Sequence, residues 1–324
     1  MSCCYHLQNQ GNKSSLHNPT HSMQPLVVLI STFTLIFVAC HASLPAAETY
    51  WNSVLPNTPM PKTIQDRLMS GSVENWGVNK IHPDLCAFYI FFPLCIGSNI
   101  KAKDDPRRYI FLTENDLKLG TKKSLYLMKS SNHANFLPQK VHDLDSSTSK
   151  NLTAAINLLL SQPTSQAAKD MRNTIHMCEA LSPVGEDNSC ATTLEAMLDF
   201  TTSRLGSNVE ALISEADTEV KIQSYSISSL KNMESKQSIV CHKLTYPYAV
   251  YKCHSMSDTR AYKVSVDDTN GKKINVGVVC HLDTSKWSPE HLAFDVLNVK
   301  PGTIPICHIV PGDSIAWVPN QLSK

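Results

Sequence analysis

Cysteine stands directly before histidine four times in the last third of the chain, at Cys241-His242, Cys253-His254, Cys280-His281 and Cys307-His308. Thiols close disulfides or bind soft metals, and neutral imidazoles bind Cu(II), Ni(II) or Zn(II). In a β-strand successive side chains point to opposite faces, so a Cys and the His after it cannot easily serve one ion. The dipeptide then divides its labour. One face carries sulfurs into disulfides in the interior, and the other presents imidazoles towards a pocket or solvent. A structural zinc site is the obvious competitor, but its Cys-x-x-Cys pairs and its histidines three to five residues apart do not occur here. Spacing alone leaves two readings open. Either the four imidazoles form a transition-metal site, with copper highest in affinity, or disulfides lie beside four ordinary hydrogen-bonded histidines.

The elements around these pairs read as strands. IQSYSIS, QSIVCHKL, YAVYKCHSM, AYKVSV, KINVGVVCHL, FDVLNV, TIPICHIV and SIAWV are rich in Val, Ile, Thr, Tyr and Ser. Asn270-Gly271 favours a type I′ hairpin joining AYKVSV to KINVGVV. Helical spacing comes earlier, in 149–162, in QAAKDMRNTIHMCEA and in CATTLEAMLDFTTSRLG, where Gly206 suits a C-cap. The expected fold is α+β, a mainly antiparallel β-sheet with a helical segment before it, stapled by disulfides.

Composition narrows the function. With 42% hydrophobic and 18% charged residues over 324 positions the chain can bury a proper core. A net charge of +1 and the lack of a basic, aromatic-interleaved run argue against nucleic acid. No G-x-S-x-G, H-E-x-x-H, P-loop or G-x-G-x-x-G occurs. Glu179, Glu186, Asp187, Glu195 and Asp199 invite a glycosidase reading. Glu195 and Asp199, four apart on the expected helix, are better read as a solvated face or as support for a histidine. His133, His142, His176 and His291 read as surface or ordinary hydrogen-bonded residues.

Residues 26–40 form an apolar run of signal-peptide length, too short for a stable membrane anchor. Residues 1–42 therefore read as a leader, with Met23 an alternative start, and 43–107 as a linker or propeptide-like segment. Removing the leader leaves eight cysteines, Cys86, Cys95, Cys178, Cys190, Cys241, Cys253, Cys280 and Cys307. An even number in a secreted chain reads as disulfides, with on the order of a hundred possible connectivities. The stretch 85–97 reads either as a strand stapled by Cys86 and Cys95 or as translated intron. Asn151 begins a glycosylation sequon.

Ten residues separate His242 from Cys253, 25 separate His254 from Cys280 and 25 separate His281 from Cys307. This closely resembles the CH-x10-CH-x25-27-CH-x25-26-CH signature of the plant BURP domain. IFLTENDLKLGTKKSLYL is similar to that domain's opening, although its usual Phe-Phe is Ile110-Phe111 here. FLPQKV, CEALSPVGEDNSCATTLEAMLDF and CHIVPGDSIAWVP resemble its further blocks, so the domain is expected over 108–324. YWNSVLPNTPMPKTIQD is similar to a segment that many members carry after the signal peptide, and the lack of a long repeat region points to the unknown-seed-protein type.

The resemblance implies copper ligation by His242, His254, His281 and His308 as in those BURP proteins that are copper-dependent autocatalytic peptide cyclases. It also implies disulfides among Cys241, Cys253, Cys280 and Cys307, and a further pair from Cys178 and Cys190. Such cyclases join a Trp or Tyr side chain to another atom of a core peptide in the same chain. No such core stands between 44 and 107; the nearest is MSGSVENW, ending at Trp76, which lacks the leading Gln. The expectation is a secreted, non-catalytic cell-wall, seed or stress-associated protein of the apoplast or storage vacuole, partnered by wall polysaccharide or wall proteins. The alternative is a cyclase acting on its own N-terminal segment.

Overall fold

The computed structural model describes residues 46–68, 106–127, 134–137, 165–180, 187–215 and 221–320. Cys86, Cys95, Asn151, Trp76, the leader and the helix expected over 149–162 lie outside them.

Eleven strands among the described residues form two antiparallel sheets. β1 (Phe111–Thr113), β2 (Lys122–Leu127), β5 (Lys221–Asn232), β8 (Thr259–Asp267), β9 (Lys273–His281) and β10 (Ile306–Ile309) make a six-stranded sheet in the order β1-β10-β9-β8-β5-β2. β3 (Asp187–Ala191), β4 (Val209–Leu212), β6 (Gln237–Leu244), β7 (Val250–Ser257) and β11 (Ile315–Pro319) make a five-stranded sheet in the order β3-β7-β6-β11-β4. The fold is α+β and mainly antiparallel, as the sequence implied, with its strands divided between two sheets.

The sheets pack face to face through Val240, Met256, Ala316 and Val318 of the five-stranded sheet and Ala261 and Val279 of the other, with Leu212 and Val310 between them. Gly277 is a point of close approach. A Cβ there would meet Leu212 Cβ at 3.1 Å and Val310 Cγ2 at 3.3 Å. The Gly277 backbone itself donates to Ile213 O at 3.0 Å and accepts from Val310 N at 2.8 Å.

Each outer face has its own cover. α5 (Leu292–Leu297) lays Phe294 and Ala293 over the six-stranded sheet, against Val278, Cys280 and Cys307. On the five-stranded sheet α4 (Leu194–Leu205) packs Leu194, Met197 and Leu198 against Ile239, Cys241 and Trp317. Thr193 caps α4 by accepting from Ala196 N at 3.0 Å, and Gly206 ends it at φ 76°. The cap explains why the helix begins at Leu194 and not at Cys190, which extends into β3. α3 (Gln166–Glu179), capped by Ser165, buries Met171 and Ile175 against Leu244, Tyr246 and Val250.

The segment expected as an irregular linker is ordered over 46–68. α1 (Ala46–Val54), a turn and α2 (Lys62–Gln65) form a strap across the outer face of the five-stranded sheet. Trp51 is 1% exposed, lies tilted against Trp317 with ring centroids 5.7 Å apart and donates from Nε1 to Thr58 O at 2.8 Å. Leu55 and Ile64 are buried beside it, the Thr58 hydroxyl donates to Val209 O, and Tyr50 donates to Asp199. Proline breaks any long periodicity here, so the tertiary contacts that hold the strap leave no pattern in the sequence.

Two local expectations change. FDVLNV is helical, not a strand, because His291 Nδ1 accepts from Ala293 N at 3.2 Å and Asn298 closes the turn at φ 53°. The β8–β9 connection is not type I′, since Gly271 takes positive φ, 79°, and Asn270 does not. Asp268 Oδ1 accepts from Asn270 N and Lys272 N, both at 2.8 Å, and this local bonding selects the turn.

At the start of the domain Glu114 accepts from Arg260 Nη1 at 2.7 Å and from the Tyr262 hydroxyl at 2.6 Å. Burial raises the carboxyl, but these two hydrogen bonds and the guanidinium charge outweigh it and hold it below the usual value. A carboxyl lowered in the folded state contributes stability that is present above about pH 4.3 and is lost as pH falls through the folded value. Glu114→Gln therefore lowers the unfolding midpoint at pH 7, and the gap from the parent narrows below about pH 4; thermal melts across that range measure it, and a pH-independent gap refutes it.

Trp51→Ala removes a fully packed indole and costs about 3–5 kcal/mol in denaturant unfolding of the oxidised protein. A loss within about 0.5 kcal/mol, as for an exposed linker residue, contradicts the strap's structural role.

Candidate metal centre

Register brings the cysteines together. Cys241 on β6 lies directly opposite Cys253 on β7, with Cα atoms 3.9 Å apart, and the two form a disulfide. Cys280 on β9 lies opposite Cys307 on β10 at 3.8 Å and does the same. A third disulfide, Cys178–Cys190, ties the end of α3 to β3. The cross-strand sulfurs lie on the outer faces of the two sheets, under α4 and the strap in one case and under α5 in the other.

Alternation then sends every neighbouring histidine inward. His254 stands opposite Val240 and His308 opposite Val279, and both valines belong to the layer between the sheets. His242 and His281 follow Val240 and Val279 by two residues and share their faces. His254, His281 and His308 are buried and His242 is partly so.

The imidazoles meet in pairs. His242 Nε2 and His254 Nε2 are 3.3 Å apart with rings stacked at 5.3 Å, and His281 Nε2 and His308 Nε2 are likewise 3.3 Å apart with rings at 5.4 Å. The Nδ1 of His308 faces the Ile309 carbonyl at 3.2 Å. A carbonyl only accepts, so Nδ1 carries the proton and Nε2 presents its lone pair; the His281 Nε2–H then donates to it. On the other half His242 Nδ1 lies 3.4 Å from the Ser314 hydroxyl.

Electrostatics keep three of the rings neutral. Burial pushes His242 well below its usual value, and the neighbouring His254, His308 and Lys252 push it the same way. Burial does the same to His281, helped by His308, His254, His291 and His242. Burial takes His308 down to about 4 against the opposing Ile309 hydrogen bond. Each pair feels the other, which sets the two halves as neighbours across the sandwich.

These residues fit a cation as two halves. With metal–nitrogen bonds of about 2.0–2.1 Å, a spacing of 3.3 Å corresponds to a ligand–metal–ligand angle of about 104–111° for each pair. Among the described residues no three His, Cys, Asp or Glu side chains converge as a finished site. A four-nitrogen site therefore requires the two pairs to approach.

The BURP domain family model matches residues 110–319. The chain belongs to the BURP-domain family. BURP domain-containing protein 5 of Oryza sativa subsp. japonica is 34% identical over 285 residues, 86% of this chain and 88% of that protein. The Arabidopsis thaliana BURP domain protein RD22 is 36% identical over 221 residues, 66% of this chain and 56% of that protein. The Arabidopsis BURP domain protein USPL1 is 34% identical over 228 residues, again 66% of this chain and 81% of that protein.

Other side chains around the BURP histidines were not legible as parts of a site. Lys252 lies beside His242 and donates from Nζ to Met177 O at the end of α3. Trp287 meets His281 edge-on with ring centroids 4.8 Å apart and lies tilted against His291 at 4.6 Å. His291, read from sequence as ordinary, caps α5 and packs on Trp287. Asp199 accepts from Tyr50 in the strap and not from a histidine, and Asp187 pairs with Arg204. On the outer side of β6, burial and then Arg67 push the Lys243 ammonium down to about 7, with Asp313 opposing.

Replacing Cys241 and Cys253 by Ser together costs about 3 kcal/mol and replacing Cys280 and Cys307 about 3.5 kcal/mol, from separations of 12 and 27 residues. Denaturant unfolding of the two paired variants checks both, and a cost near zero for either contradicts its role as a staple.

Proposed function

We propose that this BURP protein binds copper through His242, His254, His281 and His308 and acts, without turnover, as a secreted cell-wall, seed or stress-associated protein of the unknown-seed-protein type. The observation that carries the reading is the pair of 3.3 Å Nε2–Nε2 contacts on facing inner strands. Closely paired imidazoles, with the His308 Nε2 lone pair oriented by the Ile309 carbonyl, suit a borderline cation, and copper stands highest among the divalent ions in affinity. Bound Cu(II) would supply a Lewis-acidic and redox-active centre. The protein's part is to hold the four imidazoles and exclude bulk water. Three disulfides fit an oxidising compartment, which supports the secretory route. Wall polysaccharides or wall proteins are the partners proposed.

The aromatic residues of the ordered N-terminal segment favour the non-catalytic reading. Trp51 and Tyr50 are engaged with Trp317, Thr58 and Asp199 on the face of the five-stranded sheet opposite the histidines. Neither is placed for crosslinking at the site. A peptide cyclase acting on the segment that ends at Trp76 is the competing reading, and mass distinguishes the two.

Cu(II) titrated into the oxidised, metal-free protein is expected to bind and to quench Trp287 fluorescence, through the indole 4.8 Å from His281. The variant with alanine at His242, His254, His281 and His308 loses the binding, and Trp287→Phe loses the quenching alone. Copper retained by the fourfold variant rejects these ligands. Incubation of the loaded parent in air leaves the peptide mass unchanged; a loss of two hydrogens from a peptide within 44–107 replaces this reading with the cyclase.

A further inference from the structure

The strap ends at Arg67, whose guanidinium is 2% exposed and donates from Nη2 to Asp313 Oδ1 at 2.7 Å. Arg67 also reaches Ala134 O at 3.4 Å, and its own carbonyl accepts from Phe136 N at 3.0 Å. Asp313 is 8% exposed, and Lys243, 4% exposed, feels both charges. This buried charge cluster lies on the outer face of the five-stranded sheet.

The residues beside the cluster face the other way. Ile315 pairs with Cys241 and shares its outer face, and in the turn just before β11 Ser314 faces His242 while Asp313 faces Arg67. Ser314 Oγ is 3.4 Å from His242 Nδ1, and its backbone N–H is fixed to Pro311 O at 2.8 Å. On β6, His242 points inward and Lys243 outward by strand alternation. Two neighbouring segments thus each place one residue in the histidine site and the next in the charge cluster. The coupling crosses the sheet in a single peptide step, twice.

From this juxtaposition we infer that Arg67 is a positioning residue for the histidine site: by clamping Asp313 it holds Ser314 against His242 and aims His242 Nε2 towards His254. The strap, outside the 110–319 match to the family, is then part of the working unit. The inference rests on the reading of the four histidines as copper ligands. Because coupling between two sites is reciprocal, the Arg67–Asp313 clamp strengthens metal binding and bound metal strengthens the clamp.

A double-mutant cycle on the full chain tests it, with Cu(II) affinity read by chelator competition and the Cu(II) electron paramagnetic resonance spectrum read alongside. Ser314→Ala and Arg67→Met each weaken Cu(II) binding about tenfold, the lower end of what loss of an outer-shell partner costs. Combined, they weaken it no further than either alone, and both shift the spectrum in the same direction. Trp51→Phe, which removes the indole hydrogen bond to Thr58 and leaves the Arg67–Asp313 clamp in place, lowers the melting temperature and leaves affinity and spectrum unchanged. If Arg67→Met does not fold, Arg67→Lys serves in its place: it keeps a cation opposite Asp313, loses the planar fork, and weakens binding by a smaller factor that again vanishes on the Ser314→Ala background. Unchanged affinity and spectrum in the folded Arg67 variant, or additive losses in the cycle, overturn the inference while leaving copper binding intact. Failure of the parent itself to bind Cu(II) overturns both.

Discussion

Antiparallel register is the constraint on which the rest of this molecule depends. Cys241 opposite Cys253, and Cys280 opposite Cys307, fix which residue faces which across two strand pairs. A slip of one residue would turn the sulfurs inward and the imidazoles outward, exchanging the contents of two layers at once. The disulfides thus do more than restrict the unfolded chain. They lock the parity of four strands, and that parity decides that all four histidines meet between the sheets. The covering helices follow from the same choice, since the outer faces they bury carry the sulfurs together with Ile239, Val278 and Trp317.

What could be read beforehand divides along physical lines. The split of sulfur to one face and imidazole to the other follows from the period of a strand, and was legible in four dipeptides. Which cysteine meets which was not, because pairing depends on strand order, and ten or 25 intervening residues do not specify it. α3 and α4 announced themselves by spacing. The short run FDVLNV did not, because six apolar-rich residues fit strand and helix alike until the His291 cap chooses. The strap was the largest surprise. Its proline content suggests an irregular linker, while its hold on the domain comes from Trp51, Ile64 and Arg67 reaching residues hundreds of positions away. Among the site's neighbours Ser314 and Trp287 carried no signal of their own, being ordinary residue types placed by tertiary structure.

The charge cluster behind His242 shows why specificity and stability need separate accounts. A buried Arg67–Asp313 pair loses the hydration of both ions, and apolar replacements of similar volume often serve stability as well or better. Its geometric value differs. The planar guanidinium fixes the position of one carboxylate, the peptide after that carboxylate carries Ser314, and the inner face is thereby referenced to the outer one. Gly277 does comparable work between the sheets, where backbone meets backbone and no side chain could adapt the distance.

The strap also imposes an order in time. Trp51 and Arg67 are synthesised long before the residues that receive them, Trp317 and Asp313, and Arg67 and Asp313 are 246 positions apart. β11, which carries Trp317, is also the strand between β6 and β4. On a ribosome the hairpin of β6 and β7 can form while the strap waits with its tryptophan uncovered, and the five-stranded sheet can close only after β11 has emerged. During that interval the apolar side of α1 is a surface for chaperones.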